Sequence, residues 1–74
     1  MPKTASGKCV IKILTREYGF SVVSQKGSHV KLKKKTLGGD IITVVPLHTE
    51  LAHGTFRGVL ELARIDFNDF VKFL

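Results

Sequence analysis

Residues 20–46 read FSVVSQKGSHVKLKKKTLGGDIITVVP, and this stretch decides the fold. Three segments of β-type composition are separated by two turn signals, Lys26-Gly27 and residues 36–39. In residues 29–33, valine and leucine alternate with histidine and lysine, as expected for a strand that is buried on one face only. The third segment ends at Pro46, which cannot donate a hydrogen bond to a sheet. The stretch therefore predicts three antiparallel strands joined by short turns.

Amphipathic segments flank the strands on both sides. In residues 6–18 the apolar side chains fall on one arc of a helical wheel, with Ser6 as a candidate N-cap and Gly19 after the last turn. A second helix is predicted to begin with Thr55 as its N-cap, because apolar residues then follow at helical spacing. A short third helix is predicted to begin after Asp66, which carries the side chain of an N-cap.

This order of elements predicts an α+β fold. It is a two-layer sandwich, α-β-β-β-α with a short C-terminal helix, in which a three-stranded antiparallel sheet carries the helices on one face. Because the strands offer only one apolar face, both helices cover that face and the other stays open. The same order occurs in the double-stranded-RNA-binding fold, although fold order alone is weak evidence for function. We expect residues 1–74 to form a single domain.

The register of the first hairpin decides which side chains share the open face. A two-residue turn at Lys26-Gly27 places Val23 opposite Val30, whereas a three-residue turn through Ser28 places Ser24 there. We favour the three-residue turn because it brings the apolar residues of both strands to one face. Both registers put the same basic residues on the open face: His29, Lys31 and Lys33.

Charge and cysteine content narrow the classes of partner. Twelve Lys and Arg against six Asp and Glu give a formal net charge of +6, which favours polyanions, with nucleic acid first. The single cysteine, Cys9, excludes an intramolecular disulfide and a multi-cysteine zinc site. No apolar run is long enough to cross a bilayer, and residues 1–4 are not followed by the apolar stretch of a signal peptide. We expect a cytoplasmic protein with no membrane partner and no cofactor.

A histidine placed directly after a turn and beside lysines suits phosphate chemistry. His29 follows Lys26-Gly27-Ser28 and precedes Lys31 and Lys33. Neutral imidazole is a usable base near pH 7, its conjugate acid can protonate a leaving group, and RNA supplies a nucleophile in its 2′-hydroxyl. The commoner alternative for a single histidine is a surface residue without a catalytic role. The lysines likewise either contact phosphates or only protect an exposed strand from aggregation.

Two further histidines lie in or near the loop before the second helix. His48 and His53 are second proton carriers if this loop folds back over the sheet, and otherwise they are bystanders. Their spacing with Glu50 does not match a zinc site. No aromatic residue lies between Phe20 and Phe56, which argues against recognition by base stacking and favours contact with the nucleic-acid backbone.

The sequence resembles the HicA toxins, the small mRNA interferases of HicA–HicB toxin–antitoxin modules. The likeness rests on the order and spacing of short motifs: Gly19-Phe20, Gln25-Lys26-Gly27-Ser28-His29, Thr43-Val44-Val45-Pro46 with His48 after it, and Gly54-Thr55-Phe56-Arg57 followed by Val59-Leu60. The resemblance implies a double-stranded-RNA-binding-like fold, endoribonuclease activity on mRNA, growth inhibition, and neutralisation by a HicB-like antitoxin that covers the active face. The single essential histidine of the family corresponds to His29. The chain departs from the family at Arg64, where glycine is frequent, so the second helix is expected to end differently.

The residues and the resemblance together predict a metal-independent mRNA endonuclease. His29 is the predicted general base or acid, Gly27 and Ser28 shape the turn, and phosphate is bound by three lysines: Lys26, Lys31 and Lys33. A second proton carrier would be His48, a second subunit or water. Two alternatives are open, namely a non-catalytic RNA-binding module on the same fold and a subunit whose basic face only meets an acidic protein partner.

Overall fold

The computed structural model describes residues 4–74. The prediction that no signal peptide is present was drawn from residues 1–4, of which 1–3 lie outside the described residues. The elements follow the predicted order: α1 Gly7–Glu17, β1 Ser21–Lys26, β2 His29–Thr36, β3 Gly39–Pro46, α2 His53–Leu62, α3 Phe67–Phe70 and a 3₁₀ turn, Val71–Phe73. None of the helices within residues 4–74 has the length and hydropathy needed to cross a membrane.

Two of the three predicted helix starts are confirmed. The Ser6 hydroxyl accepts the Cys9 N–H at 3.0 Å, and the Asp66 carboxylate accepts the Asn68 N–H at 2.8 Å, so both side chains are N-caps. The prediction for Thr55 is wrong. The N-cap of α2 lies three residues earlier, at Ala52, whose carbonyl accepts the first intrahelical bond from the Phe56 N–H at 2.9 Å. The N-cap Ala52 has no side chain able to bond to the helix, so no capping residue marks this start in the sequence.

The sheet has the order β1-β2-β3 with both pairs antiparallel, which confirms the predicted meander. Neither predicted register of the first hairpin is right, because Lys26 lies opposite His29 and Gln25 opposite Val30. Two features explain the difference. The turn consists of Gly27 and Ser28, and Gly27 has φ of +59°, a value that type II′ hairpin turns require at their first central position. A β-bulge between Val22 and Ser24 then absorbs one residue.

Both long helices pack on the same face of the sheet, and the α+β sandwich is as predicted. Four of the buried sheet residues form two cross-strand pairs in the ladder between β2 and β3, Val30 with Val45 and Leu32 with Thr43, and Pro46 is buried at the end of β3. Against them lie the buried residues of the helices and loops: Val10, Ile13, Leu14, Phe20, Leu51, Phe56, Val59, Leu60, Ala63 and Phe70. The side chains on the other side of the ladder therefore face away from the helices. We call that surface the open face.

The C-terminal helix completes the core. Phe70 is fully buried, stacks on Tyr18 at 5.8 Å between ring centroids, and meets the edge of Phe56 at 5.6 Å. Phe67 is half-buried and also contacts Phe56, at 5.4 Å. Both phenylalanines therefore contribute to the core, and α3 closes the helical layer at one end.

Because Arg64 stands where the family often has glycine, α2 was expected to end differently. This helix ends at Leu62, and Arg64 has φ of +59°, the left-handed conformation that glycine usually supplies after a helix. The Ile65 N–H donates to the Leu60 carbonyl at 2.9 Å and closes the helix end. The helix therefore ends in the ordinary way, with an arginine in a conformation that is unfavourable for a residue with a Cβ atom.

Candidate nucleic-acid interface

The turn before His29 is held on both of its sides. The Gln25 side-chain amide donates to the Gly27 carbonyl at 3.0 Å, and the Leu47 N–H donates to the Ser28 carbonyl at 2.7 Å. His29 is the first residue of the central strand, so its backbone lies between two neighbours, Lys26 on β1 and Pro46 on β3. Its position is thus fixed by both ladders, although its side chain is exposed.

The predicted phosphate-binding lysines share the open face with His29. In β2, His29, Lys31 and Lys33 alternate with the buried Val30 and Leu32, so all three lie on the side away from the helices. Lys26 is directly opposite His29 in the ladder, and side chains of such pairs lie on one face about 4.5–5.5 Å apart at Cβ. The structure therefore brings His29 and the three lysines onto one surface.

The charge of this surface is partly balanced at one end only. Lys33 lies 3.7 Å from Asp40, both being partly exposed, so this pair is screened by solvent and contributes little to stability. Lys31 and Lys26 have no carboxylate within 4.0 Å among the described residues. Of the three predicted phosphate-binding lysines, only Lys33 therefore has a carboxylate close to it among the described residues.

Of the two other histidines, His53 contacts Arg57 and Phe67. Its Nε2 accepts a hydrogen bond from Arg57 Nε at 3.0 Å, and its ring meets the edge of Phe67 at 5.6 Å. Arg57 in turn stacks over the Phe67 ring, with its guanidinium carbon 4.1 Å from the ring centroid. His53 therefore belongs to a cluster between α2 and α3 and not to the open face.

His48 stays close to the His29 end of the sheet. It is exposed and comes two residues after Pro46, the partner of His29 in the ladder. Its backbone carbonyl accepts the Gly7 N–H at 2.9 Å, which fixes the loop against the start of α1. Within residues 4–74, no cluster of three or more His, Cys, Asp or Glu side chains could hold a metal ion.

Some features of the surface have no clear signal in the sequence. The ladder puts Val44 beside Lys31 and Ile42 beside Lys33, so an exposed apolar row lies next to the lysine row on the open face. The bond from the Gln25 amide to the turn also escaped prediction, because it depends on the register.

Comparison with known proteins identifies a family of similar sequences. A family model described as HicA toxin of bacterial toxin-antitoxin matches residues 7–65, which covers α1, the whole sheet and α2. No curated protein and no solved structure matches the sequence at a significant level. The matched range contains the turn, His29 and the lysines of the open face.

Proposed function

The chain belongs to the HicA toxin family, as the toxin component of a toxin–antitoxin pair, and on that premise we propose that it is a metal-independent endoribonuclease that cleaves mRNA. The observation that carries the proposal is the position of His29. It is exposed, it is the first residue of the central strand, and it lies directly opposite Lys26. An imidazole on a basic, uncovered surface is accessible to a ribose-phosphate chain.

The proposed chemistry needs only groups that the chain and the RNA supply. Neutral His29 removes the proton from a ribose 2′-hydroxyl, and the resulting oxygen attacks the adjacent phosphorus. The bond from phosphorus to the 5′-oxygen breaks, which leaves a 2′,3′-cyclic phosphate on one fragment and a 5′-hydroxyl on the other. The leaving oxygen takes its proton from a second carrier, for which His48, a second subunit or water are the candidates.

The lysines stabilise the charge that develops on the phosphate. Lys26 is the nearest, because it faces His29 across the ladder, and Lys31 follows on the same strand face. Lys33 is the weakest of the three because Asp40 lies 3.7 Å from its ammonium group. Gly27 and Ser28 form the turn that sets the start of β2. The partner of this toxin is an antitoxin, and we propose a HicB-like antitoxin that neutralises the toxin by covering the open face.

The decisive experiment is cleavage of mRNA by the purified chain in the presence of EDTA. We expect His29→Ala to abolish cleavage, with a loss of at least about 100-fold, because general base catalysis of this type contributes 10²–10⁴-fold. The matched control is His53→Ala, which removes a histidine already bonded to Arg57 and should leave the cleavage rate unchanged. Cleavage that survives His29→Ala, or that EDTA abolishes, would contradict the mechanism.

The alternative is a non-catalytic RNA-binding module, which the row of lysines on the open face also favours. The same experiment separates the two functions. A binding module retards RNA without producing fragments, binds equally well as His29→Ala, and loses affinity when Lys31 is replaced or salt is raised. A subunit that only binds its protein partner neither binds nor cleaves RNA in the free state.

A further inference from the structure

The outer edge of β3 has backbone groups without partners. In an antiparallel ladder, successive residues direct their N–H and C=O groups alternately to the two sides of the strand. The bond from the Leu47 N–H to the Ser28 carbonyl fixes the phase, so Val45 bonds toward β2. It follows that Ile42 and Val44 direct their backbone groups outward. Within residues 4–74, no hydrogen bond from outside the sheet reaches either of them.

The middle of this edge lacks the devices that protect other edges. Strand β3 pairs with β2 without interruption from Gly39 to Pro46, it contains no lysine or arginine, and its charged residue Asp40 and its proline Pro46 lie at its two ends. Its exposed Ile42 and Val44 retain 41% and 37% of their accessible surface. The opposite edge, β1, is broken by a bulge and ends in a lysine. The regular and apolar stretch from Ile41 to Val45 is a template for an added strand, whereas a bulged edge that ends in a lysine resists one.

A groove lies beside the same edge. It has a volume of about 400 Å³ and runs between Val44 of β3 and one side of α2: Thr55, Gly58, Val59, Glu61 and Leu62. A Cβ atom at Gly58 would meet nothing within 4 Å, and Leu62 is 59% exposed. An added strand would direct every second side chain toward the helices, and those side chains would enter this groove. The lining favours apolar side chains there.

We propose that the antitoxin partner adds an extended segment to the outer edge of β3 as a fourth strand of the sheet. The inference rests on the assignment as a toxin with an antitoxin partner, not on the nuclease chemistry. Main-chain hydrogen bonds to Ile42 and Val44 provide affinity, and the two side-chain rows of the segment provide specificity. The row on the helix side is apolar and fills the groove.

The other row of the segment is acidic. Lys31 and Lys33 lie opposite Val44 and Ile42 in the ladder, one strand in from the edge. Side chains on the open face of the fourth strand are two strands away, about 10 Å, so long acidic side chains reach the lysine ammonium groups across β3. A second copy of this chain is a poor candidate for the fourth strand, because each copy has a net charge of +6 and the two would repel each other.

Amide hydrogen exchange of the His29→Ala chain, measured by NMR, tests the proposal directly. The probe is the protein encoded by the open reading frame next to this one. In the free chain the amides of Ile42 and Val44 should exchange rapidly, whereas those of Thr43 and Val45 are protected by the ladder. Addition of the probe should slow exchange at Ile42 and Val44 by at least about tenfold.

Two substitutions test the edge and the groove separately. Val44→Pro removes an outward-facing N–H without taking a bond from β2, and its control Val44→Thr keeps that N–H. Gly58→Phe fills the groove, and its control Gly58→Ala leaves it open. We expect the proline and phenylalanine variants to weaken binding of the probe by about tenfold or more, with the controls unchanged. If Val44→Pro fails to fold, Gly58→Phe and the exchange data carry the test.

The outcomes separate this proposal from its rivals. Failure of the neighbouring gene product to bind, undiminished binding to both variants, or rapid exchange at Ile42 and Val44 in the complex would overturn it. Protection that grows with concentration of the free chain would identify a second copy as the occupant and would also overturn it. RNA cleavage by chains that retain His29 is measured in parallel, so failure of the nuclease proposal is seen independently.

Discussion

Thr43 donates its hydroxyl proton to the Val59 carbonyl at 2.8 Å, and this buried bond joins the middle of β3 to α2. Thr43 faces the helices, whereas its neighbours Ile42 and Val44 lie on the open face beside the lysines of β2. The same carbonyl accepts the Ala63 N–H at 3.0 Å, so the helix keeps its own bond. The placement of α2 against the edge strand, and with it the groove, thus has a polar component in an otherwise apolar core.

Thr43→Val tests this bond. The substitution keeps the shape of the side chain and removes the hydroxyl, while the Val59 carbonyl retains its bond from the helix. We expect the free energy of unfolding to fall by about 0.5–1 kcal/mol, as measured by urea denaturation. Thr49→Val, at an exposed loop position, is the control and should change stability by less than about 0.5 kcal/mol. Equal effects of the two substitutions would show that the buried bond does not contribute.

Arg64 and Gly19 make a matched pair at two helix ends. Both have a positive φ, +59° and +77° respectively, but only one is glycine. Arg64→Gly should raise the unfolding free energy by about 0.5–1 kcal/mol, because relief of the left-handed strain exceeds the entropy that glycine adds to the unfolded chain. Gly19→Ala should lower it by about 1 kcal/mol, since the nearest atom to the new Cβ is an ordinary contact and only the strain remains. Destabilisation by Arg64→Gly would contradict this explanation.

The N-caps give a third test. Ser6→Ala removes the hydroxyl that accepts the Cys9 N–H and should lower the unfolding free energy by about 1 kcal/mol. Thr55→Ala should leave it nearly unchanged, because Thr55 is exposed within the first turn of α2 and makes no capping bond. Denaturation of the two variants in parallel checks both values. A large fall in the unfolding free energy of Thr55→Ala would mean that Thr55 is the N-cap of α2 after all.

Salt dependence tests the contact of the open face with RNA. In the His29→Ala background, where RNA is not cleaved, Lys31→Ala should weaken RNA binding and reduce the slope of log K against log salt by about 1. Lys72→Ala is the control, because Lys72 lies in the C-terminal turn, 3.7 Å from Asp69 and outside the sheet. A slope reduced equally by both substitutions would indicate a diffuse electrostatic attraction without a defined face.

The raised pKa of Tyr18 predicts how the stability of the protein changes at alkaline pH. Burial raises the pKa of its hydroxyl above the usual value of about 10, and nearby Asp69, Glu17 and Asp66 add to the effect. Since folding favours the neutral form, the stability that this group contributes is present below pH 10 and is lost as pH rises through the pKa of the folded state. The chain has one tyrosine, so its absorbance near 295 nm reports the titration directly. Asp69→Asn should bring the pKa closer to 10, and an unshifted midpoint in the parent chain would refute the prediction.

How far the sequence allowed prediction depends on the range of the interaction. The caps at Ser6 and Asp66 involve atoms within three residues, and both were predicted. The start of α2 was not predicted, because it depends on the path of the loop after Pro46. The Gly7 N–H donates to the His48 carbonyl and the Leu51 N–H donates to the Ala5 carbonyl, and these bonds hold the loop. The hairpin register failed for a similar reason, since a bulge at Val23 changes the pairing without leaving a mark in the alternation.

The sequence by itself determined the order of the elements and the face on which His29, Lys31 and Lys33 lie. Both follow from periodicity, which is a local property: alternate residues of a strand face opposite sides whatever that strand pairs with. Only the tertiary structure decided that Lys26 faces His29, that His53 is bonded to Arg57, and that β3 presents a free edge beside a groove. These relations join residues of different elements or registers, and they depend on which packing arrangement has the lowest free energy for the whole chain.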